Sequence, residues 1–189
     1  MKFIGINRLW YLDSLTSPID KVADLVALLN ATGITEVKNS HNGTFTYTHD
    51  DPEVTDYINE LTGKVYHRDK TTNGTKTIAF SIGEYDLEAK QALQGGKVNT
   101  NKDVWEAGDN DELVYKCVIA QVKTGNFVVF TNASITAKVD TREKGLMLGV
   151  SAVAMDNENE SVADEYWVGG KTISFNKTTK KWATSQTAA

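Results

Sequence analysis

Residues Lys76–Gly96 read KTIAFSIGEYDLEAKQALQGG, a stretch that holds a strand, a turn, a short helix and a helix stop in direct succession. Ile78, Phe80 and Ile82 alternate with Thr77, Ala79 and Ser81, the two-residue period of a half-buried strand. Asp86 stands where a helix N-cap is needed, because its short carboxylate can accept a backbone N–H of the first turn. Leu87, Ala89 and Leu93 supply the packed side of that helix, Gln91 its exposed side, and Gly95-Gly96 the positive-φ residues that end it.

Working outward, the C-terminal half is dense in strand signal. Leu113 to Val122 is apolar on both faces, as in a central strand covered by two layers, and Lys123–Asn126 turns it into Phe127–Phe130. Ile135, Ala137 and Val139 alternate with polar neighbours in the next strand. Leu146, Leu148, Val150, Ala152 and Ala154 then share one face of a long strand. Thr172–Phe175 is a short strand, and the threonine- and lysine-rich end after it, with Trp182, reads as an arm.

Toward the N-terminus, Thr44–His49 is a strand with Phe45, Tyr47 and His49 on one face, entered by a turn at Asn42-Gly43 and broken by Asp50-Asp51-Pro52. Lys64–His67 is a short strand, and Asn73-Gly74 predicts a hairpin from it into the strand at Lys76. Ser17-Pro18 caps a helix to Leu29, with Val22, Leu25, Val26, Leu28 and Leu29 as its stripe and Gly33 to close it.

The 189 residues fit one domain with one core, and the formal charge of -5 with no dense Lys/Arg segment argues against gripping a polyanion. MKFIGINRLWYLDS lacks the uninterrupted apolar core of a signal peptide, no window approaches a membrane span, and a lone Cys117 agrees with a reducing compartment. The expected setting is the cytoplasm, and the Asn-x-Ser/Thr matches are then not glycosylation sites.

Catalytic signatures fail on inspection, so the chain reads as no enzyme and as holding no cofactor. Gly149-Val-Ser151-Ala-Val153 lacks the second glycine of a nucleophile elbow, and Gly95-Gly96-Lys97 follows its helix where a phosphate loop precedes one. His41, His49 and His67 are not at paired ligand spacing, and Cys117 lies in the most apolar strand, which argues for an inert thiol. Asp156–Glu160 alternates oxygen ligands like a calcium loop, but Ser161 stands where the turn glycine belongs; Asp109–Glu112 reads as another solvated loop. Trp10, Trp105, Trp167 and Trp182 could form a sugar-stacking platform only if one surface gathered them; core or subunit contacts explain four scattered tryptophans better.

From about residue 45 to residue 155, the order GKVYH, KTIAFSIGEYDLEAKQALQGG, Trp105, the strand pair around Lys123-Thr-Gly125, FTNASITAKVD and GLMLGVSAVAM resembles the major tail tube proteins of long-tailed bacteriophages. The resemblance implies a mainly β fold, a two-sheet β-sandwich or partly closed barrel with one or two short flanking α-helices. It also implies hexameric rings that stack into a virion tail tube, with other tail proteins as partners and DNA passing through the lumen without specific binding. Injection-system tubes share that fold. On this resemblance 1–189 is a single domain with arms at 39–75 and 176–189, and Phe45, Tyr47, Tyr57, Tyr66 and Trp182 are the candidate subunit contacts. The alternative is a monomeric β-sandwich module that binds carbohydrate or protein.

Overall fold

The computed structural model describes residues 1–108, 113–142 and 145–184. Along the chain these form β1 (Ile6–Leu12), α1 (Val22–Leu29), β2 (Thr35–Glu36), β3 (Thr46–His49), β4 (Val54–Ile58), β5 (Val65–Lys70), β6 (Lys76–Ile82) and α2 (Leu87–Gln94). After α2 come β7 (Lys97–Val98), β8 (Trp105–Glu106), β9 (Val114–Val122), β10 (Phe127–Arg142), β11 (Gly145–Ala154), β12 (Glu165–Val168), β13 (Ile173–Asn176) and β14 (Lys181–Thr184).

The protein is mainly β, and its two layers come from one sheet that bends over itself. The order is β2-β1-β9-β10-β11-β6-β3, every pairing antiparallel, with β12 joined to β10. Phe127–Phe130 lie between β9 and β12; from Ala133 onward β11 takes the place of β12, across a register shift between Phe130 and Ala133. Thr131 and Asn132 form this bulge, which bends the strand and re-aims its second half. Beyond β2 the chain steps across to β6: Val37 N–H donates to Leu9 O at 2.9 Å, His41 N–H to Ser81 O at 2.8 Å, and Gly83 N–H to Asn39 O at 3.0 Å. The sheet does not close into a barrel, because β3 and β12 remain unpaired with each other.

Strict alternation splits the central strands between two cores. Leu9, Tyr11, Val118, Ala120, Val128 and Phe130 face inward, onto Ile78, Phe80, Ile82, Leu148, Val150, Ala152 and Leu93. Trp10, Leu12, Cys117, Ile119, Phe127 and Val129 face the other way, under Leu25 and Leu29 of α1 and Trp182 of β14. Burial on both faces explains the apolar run Cys117–Ala120 at the centre of β9.

Helix α2 follows its sequence signals. Asp86 Oδ1 accepts the Ala89 N–H at 2.7 Å, and Gly95 and Gly96 have φ of 81° and 80°. A Cβ on Gly96 would lie 2.6 Å from Glu106 O, so only glycine fits where the chain returns along β7 and β8.

Four expectations are corrected. Helix α1 starts at Val22 and not Pro18, because the Asp24 carboxylate takes the N–H groups of Asp20 and Lys21 at 3.1 and 3.0 Å and sets the helix start there. It ends at Leu29 as expected, but Asn30 and not Gly33 closes it, the Asn30 side chain bonding back to Val26 O at 2.9 Å. Asn73-Gly74 is no hairpin turn: β5 pairs with β4, while β6 pairs with β3 and β11. Phe127–Phe130 and Ile135–Val139 are one bent strand.

Leu93 is 1 % exposed, whereas Gln91 is on the open face of α2. Leu93→Ala is therefore expected to lower unfolding free energy by about 2–5 kcal/mol in denaturant titration. Gln91→Ala should fall within about 0.5 kcal/mol of the wild type.

Candidate assembly surface

Strands β3 and β6 pair inside the sheet, and the same two chain segments continue outward as β4 and β5, so the pair forms one ribbon with a free distal half. Every residue of β4 and β5 is exposed. At the joint, Asp50 N–H donates to Thr75 O at 2.9 Å, and the His49 ring lies 3.2 Å from Asn73 O. Gly74 has φ of 76°, and a Cβ there would stand 2.0 Å from Asp50 O. The Asn-Gly signal thus marks the point where the two sides of the ribbon press together, and Pro52 interrupts the ladder beside it.

Local polar ties shape the ribbon. Asp56 grips Arg68 by a fork at 2.5 and 2.8 Å, and that guanidinium holds the Asp56 carboxyl below the usual carboxylate range. Tyr57 lies 6.5 Å from Tyr66 and 5.6 Å from the His67 ring. Asn59 builds the turn, its Oδ1 accepting Leu61 N–H at 2.8 Å and Thr62 N–H at 3.3 Å. The result is an apolar tip held open to solvent, with Leu61 95 % exposed and Ile58, Val65 and Tyr66 exposed beside it.

The five residues expected at subunit contacts divide between ribbon and body. Tyr57 and Tyr66 are on the free ribbon. Phe45 and Tyr47 are half-buried against the inner core, Tyr47 6.1 Å from Phe130 and 5.5 Å from Trp167. Residues 39–49 accordingly belong to the body, not to an arm. Trp182 is 7 % exposed, packed within 5.7 Å of Trp10, 6.0 Å of Phe127 and 5.1 Å of Phe175. Its backbone N–H and O are both bonded to the Asn30 side chain at 2.9 Å. Arg8 spans Phe175, Trp182 and Trp10 at 4.5, 5.0 and 5.3 Å while pairing with Glu36. Residues 176–184 are thereby tied to the body, contrary to the reading of the tail as an arm; 185–189 lie outside the described residues. Leu61 went unread in the sequence, although a leucine within the turn Asn59–Gly63 is the signal that could have found it.

The seam between β3 and β12 is closed by side chains. Tyr47 Oη donates to Glu165 Oε1 at 2.9 Å, and Lys76 Nζ lies 2.8 Å from Asp164 Oδ2 and 3.2 Å from Glu165 Oε2. Burial and then the Glu165 bond push the Tyr47 hydroxyl well above its ordinary range. For Lys76 burial works downward, and the two carboxylates outweigh it to hold the ammonium above its usual value.

No metal-holding group of three His, Cys, Asp or Glu occurs among the described residues. Asn157 and Asn159 of the acidic loop spend their amides on Leu15 O and Thr16 O at 2.7 and 3.0 Å. Asp109–Glu112 lies outside the described residues. Cys117 is buried, and desolvation pushes its thiol up. Trp105 donates to Gly95 O at 2.9 Å under Lys90, and Trp10 and Trp182 are buried, so the tryptophans do not present one open platform. No described helix is long and apolar enough to cross a membrane.

Neither the family models nor the curated proteins contain a match to this chain.

Because Trp182 fills the outer core, Trp182→Ala is expected to destabilise the protein by about 3–5 kcal/mol. A chain ending at Asn176 should melt well below wild type; an unchanged melting curve would return the tail to the status of an arm.

Proposed function

We infer that this protein is a self-assembling structural subunit, with copies joining into rings that stack as a phage-type tail tube. The observation that carries this reading is the exposed ribbon tip. A lone two-stranded hairpin is marginal in water, and one that shows Ile58, Leu61, Val65 and Tyr66 to solvent gains its stability by burying them on something else. A second copy is the occupant that lets every subunit in turn cover its neighbour's tip, and a heterologous contact of that kind builds rings or open filaments.

The resemblance to tail tube proteins supplies the rest: six subunits per ring, a hollow tube, other tail proteins at its ends, and a virion tail as the destination after synthesis in host cytoplasm. The formal charge of -5 agrees with a conduit that does not bind the DNA sliding through it. No catalytic role enters this reading.

Light scattering and negative-stain microscopy over a wide concentration range test it. Rings or tubes are expected, and Leu61→Asp should suppress them while leaving the melting temperature within about 2 °C of wild type, since the residue touches no core. Monomers alone at high concentration, even with seed tubes supplied, would replace this reading with that of a monomeric binding module.

A further inference from the structure

We propose that Lys76 is the positioning residue of the ribbon: held between Asp164 and Glu165, its ammonium clamps the ribbon's root to β12 and fixes the direction of the free half before any partner arrives. The proposal deepens the assembly reading and rests on it for the ribbon's purpose, though not for the geometry.

Position comes first. Lys76 opens β6 and is paired with His49, which closes β3, so it is the last rung of the ladder inside the sheet. Beyond it, among the described residues, the two sides of the ribbon bond to each other, through Asp50 and Thr75, Thr71 and Glu53, and the β4–β5 ladder past the tight approach of Gly74. Whatever holds this rung sets the angle of everything distal to it. On the outer side of β3 the sheet offers no backbone bond to β12, because β3 and β12 are two unpaired edges. The seam is held there by Lys76, Asp164, Glu165 and Tyr47.

Charge makes the clamp one-sided in its failure. One cation faces two carboxylates, and the Lys76 and Glu165 side chains are only 19 % and 9 % exposed, so water screens them poorly. Removing the ammonium leaves two adjacent carboxylates on the β12 side poorly solvated and without their cation, so the seam loses the attraction that draws β12 to the ribbon root. Tyr47, which donates to Glu165 from β3, then carries the seam alone. A ribbon whose direction is preset loses less freedom when it docks, and that lowers the entropic cost of each subunit contact.

The test places spin labels at Leu61→Cys and Thr178→Cys, both exposed, with the buried Cys117 left in place, and measures their dipolar distance distribution in dilute monomer. Wild type should give one narrow peak; Lys76→Gln should broaden it and shift its mean, and the milder Asp164→Asn should shift it less. Should Lys76→Gln fail to fold, Asp164→Asn carries the test, because that carboxylate is 38 % exposed and its loss keeps the Lys76–Glu165 pair. A narrow, unshifted peak in the folded variants overturns the clamp, as does a broad peak in wild type. Since the readout is taken on monomer, a clamp effect without any tube formation would sink only the assembly reading.

Discussion

At Thr131 and Asn132 the longest strand exchanges β12 for β11, and the groups freed by that exchange are taken up by three other segments. Thr131 donates from N–H to Asp164 O at 3.1 Å and from Oγ1 to Ala163 O at 2.7 Å, and its own O accepts Leu15 N–H at 2.9 Å. Asn132 O accepts Met155 N–H, and its side chain joins Ser14 Oγ and Asp156 O, each at 2.8 Å. The loop before α1, the end of β11 and the entry to β12 are therefore all anchored on two residues of one bulge. A bend there lets a single sheet form both walls of the inner core while the straight half of β10 still presents its other face to α1.

The free ribbon arises from a mismatch of lengths in that same sheet. Strand β11 pairs with β6 only from Leu148 opposite Ile82 to Val153 opposite Thr77, and β11 ends at Ala154. The segments of β3 and β6 run on past this limit as β4 and β5, which among the described residues pair only with each other. An edge so exposed is a liability in a monomer and a resource in an assembly, which is why the ribbon and not a cavity is the feature that speaks to function.

How far the sequence could be read depended on whether one local pattern decided each element. Helix α2 was legible because Asp86, Leu93 and Gly95 act within a span of ten residues, and β11 because Leu148, Val150 and Ala152 alternate without interruption. Strand β1 was silent: in RLWYL both faces are apolar, since Leu9 and Tyr11 enter one core and Trp10 the other. The partner of β5 was misread because the Asn73-Gly74 pair carries the same signal for a tight turn as for the close approach to Asp50 that it makes. Trp182 looked like an arm residue because its partners, Trp10, Asn30 and Phe127, stand far away in the chain. Of the candidate contacts, Tyr57 and Tyr66 lie exposed on the ribbon, whereas Phe45 and Tyr47, aromatic residues in equally turn-rich sequence, are half-buried against the body.

Amide hydrogen exchange, tracked residue by residue in dilute monomer and again in concentrated, sedimentable protein, bears most directly on the ribbon as the assembling element. In monomer, the amides of β9 and the first half of β10 should be the slowest to exchange and those of 54–70 among the fastest. On assembly, 54–70 should become protected while β9 stays as it was. Protection gained elsewhere, with 54–70 still exchanging freely in the assembled state, would contradict it.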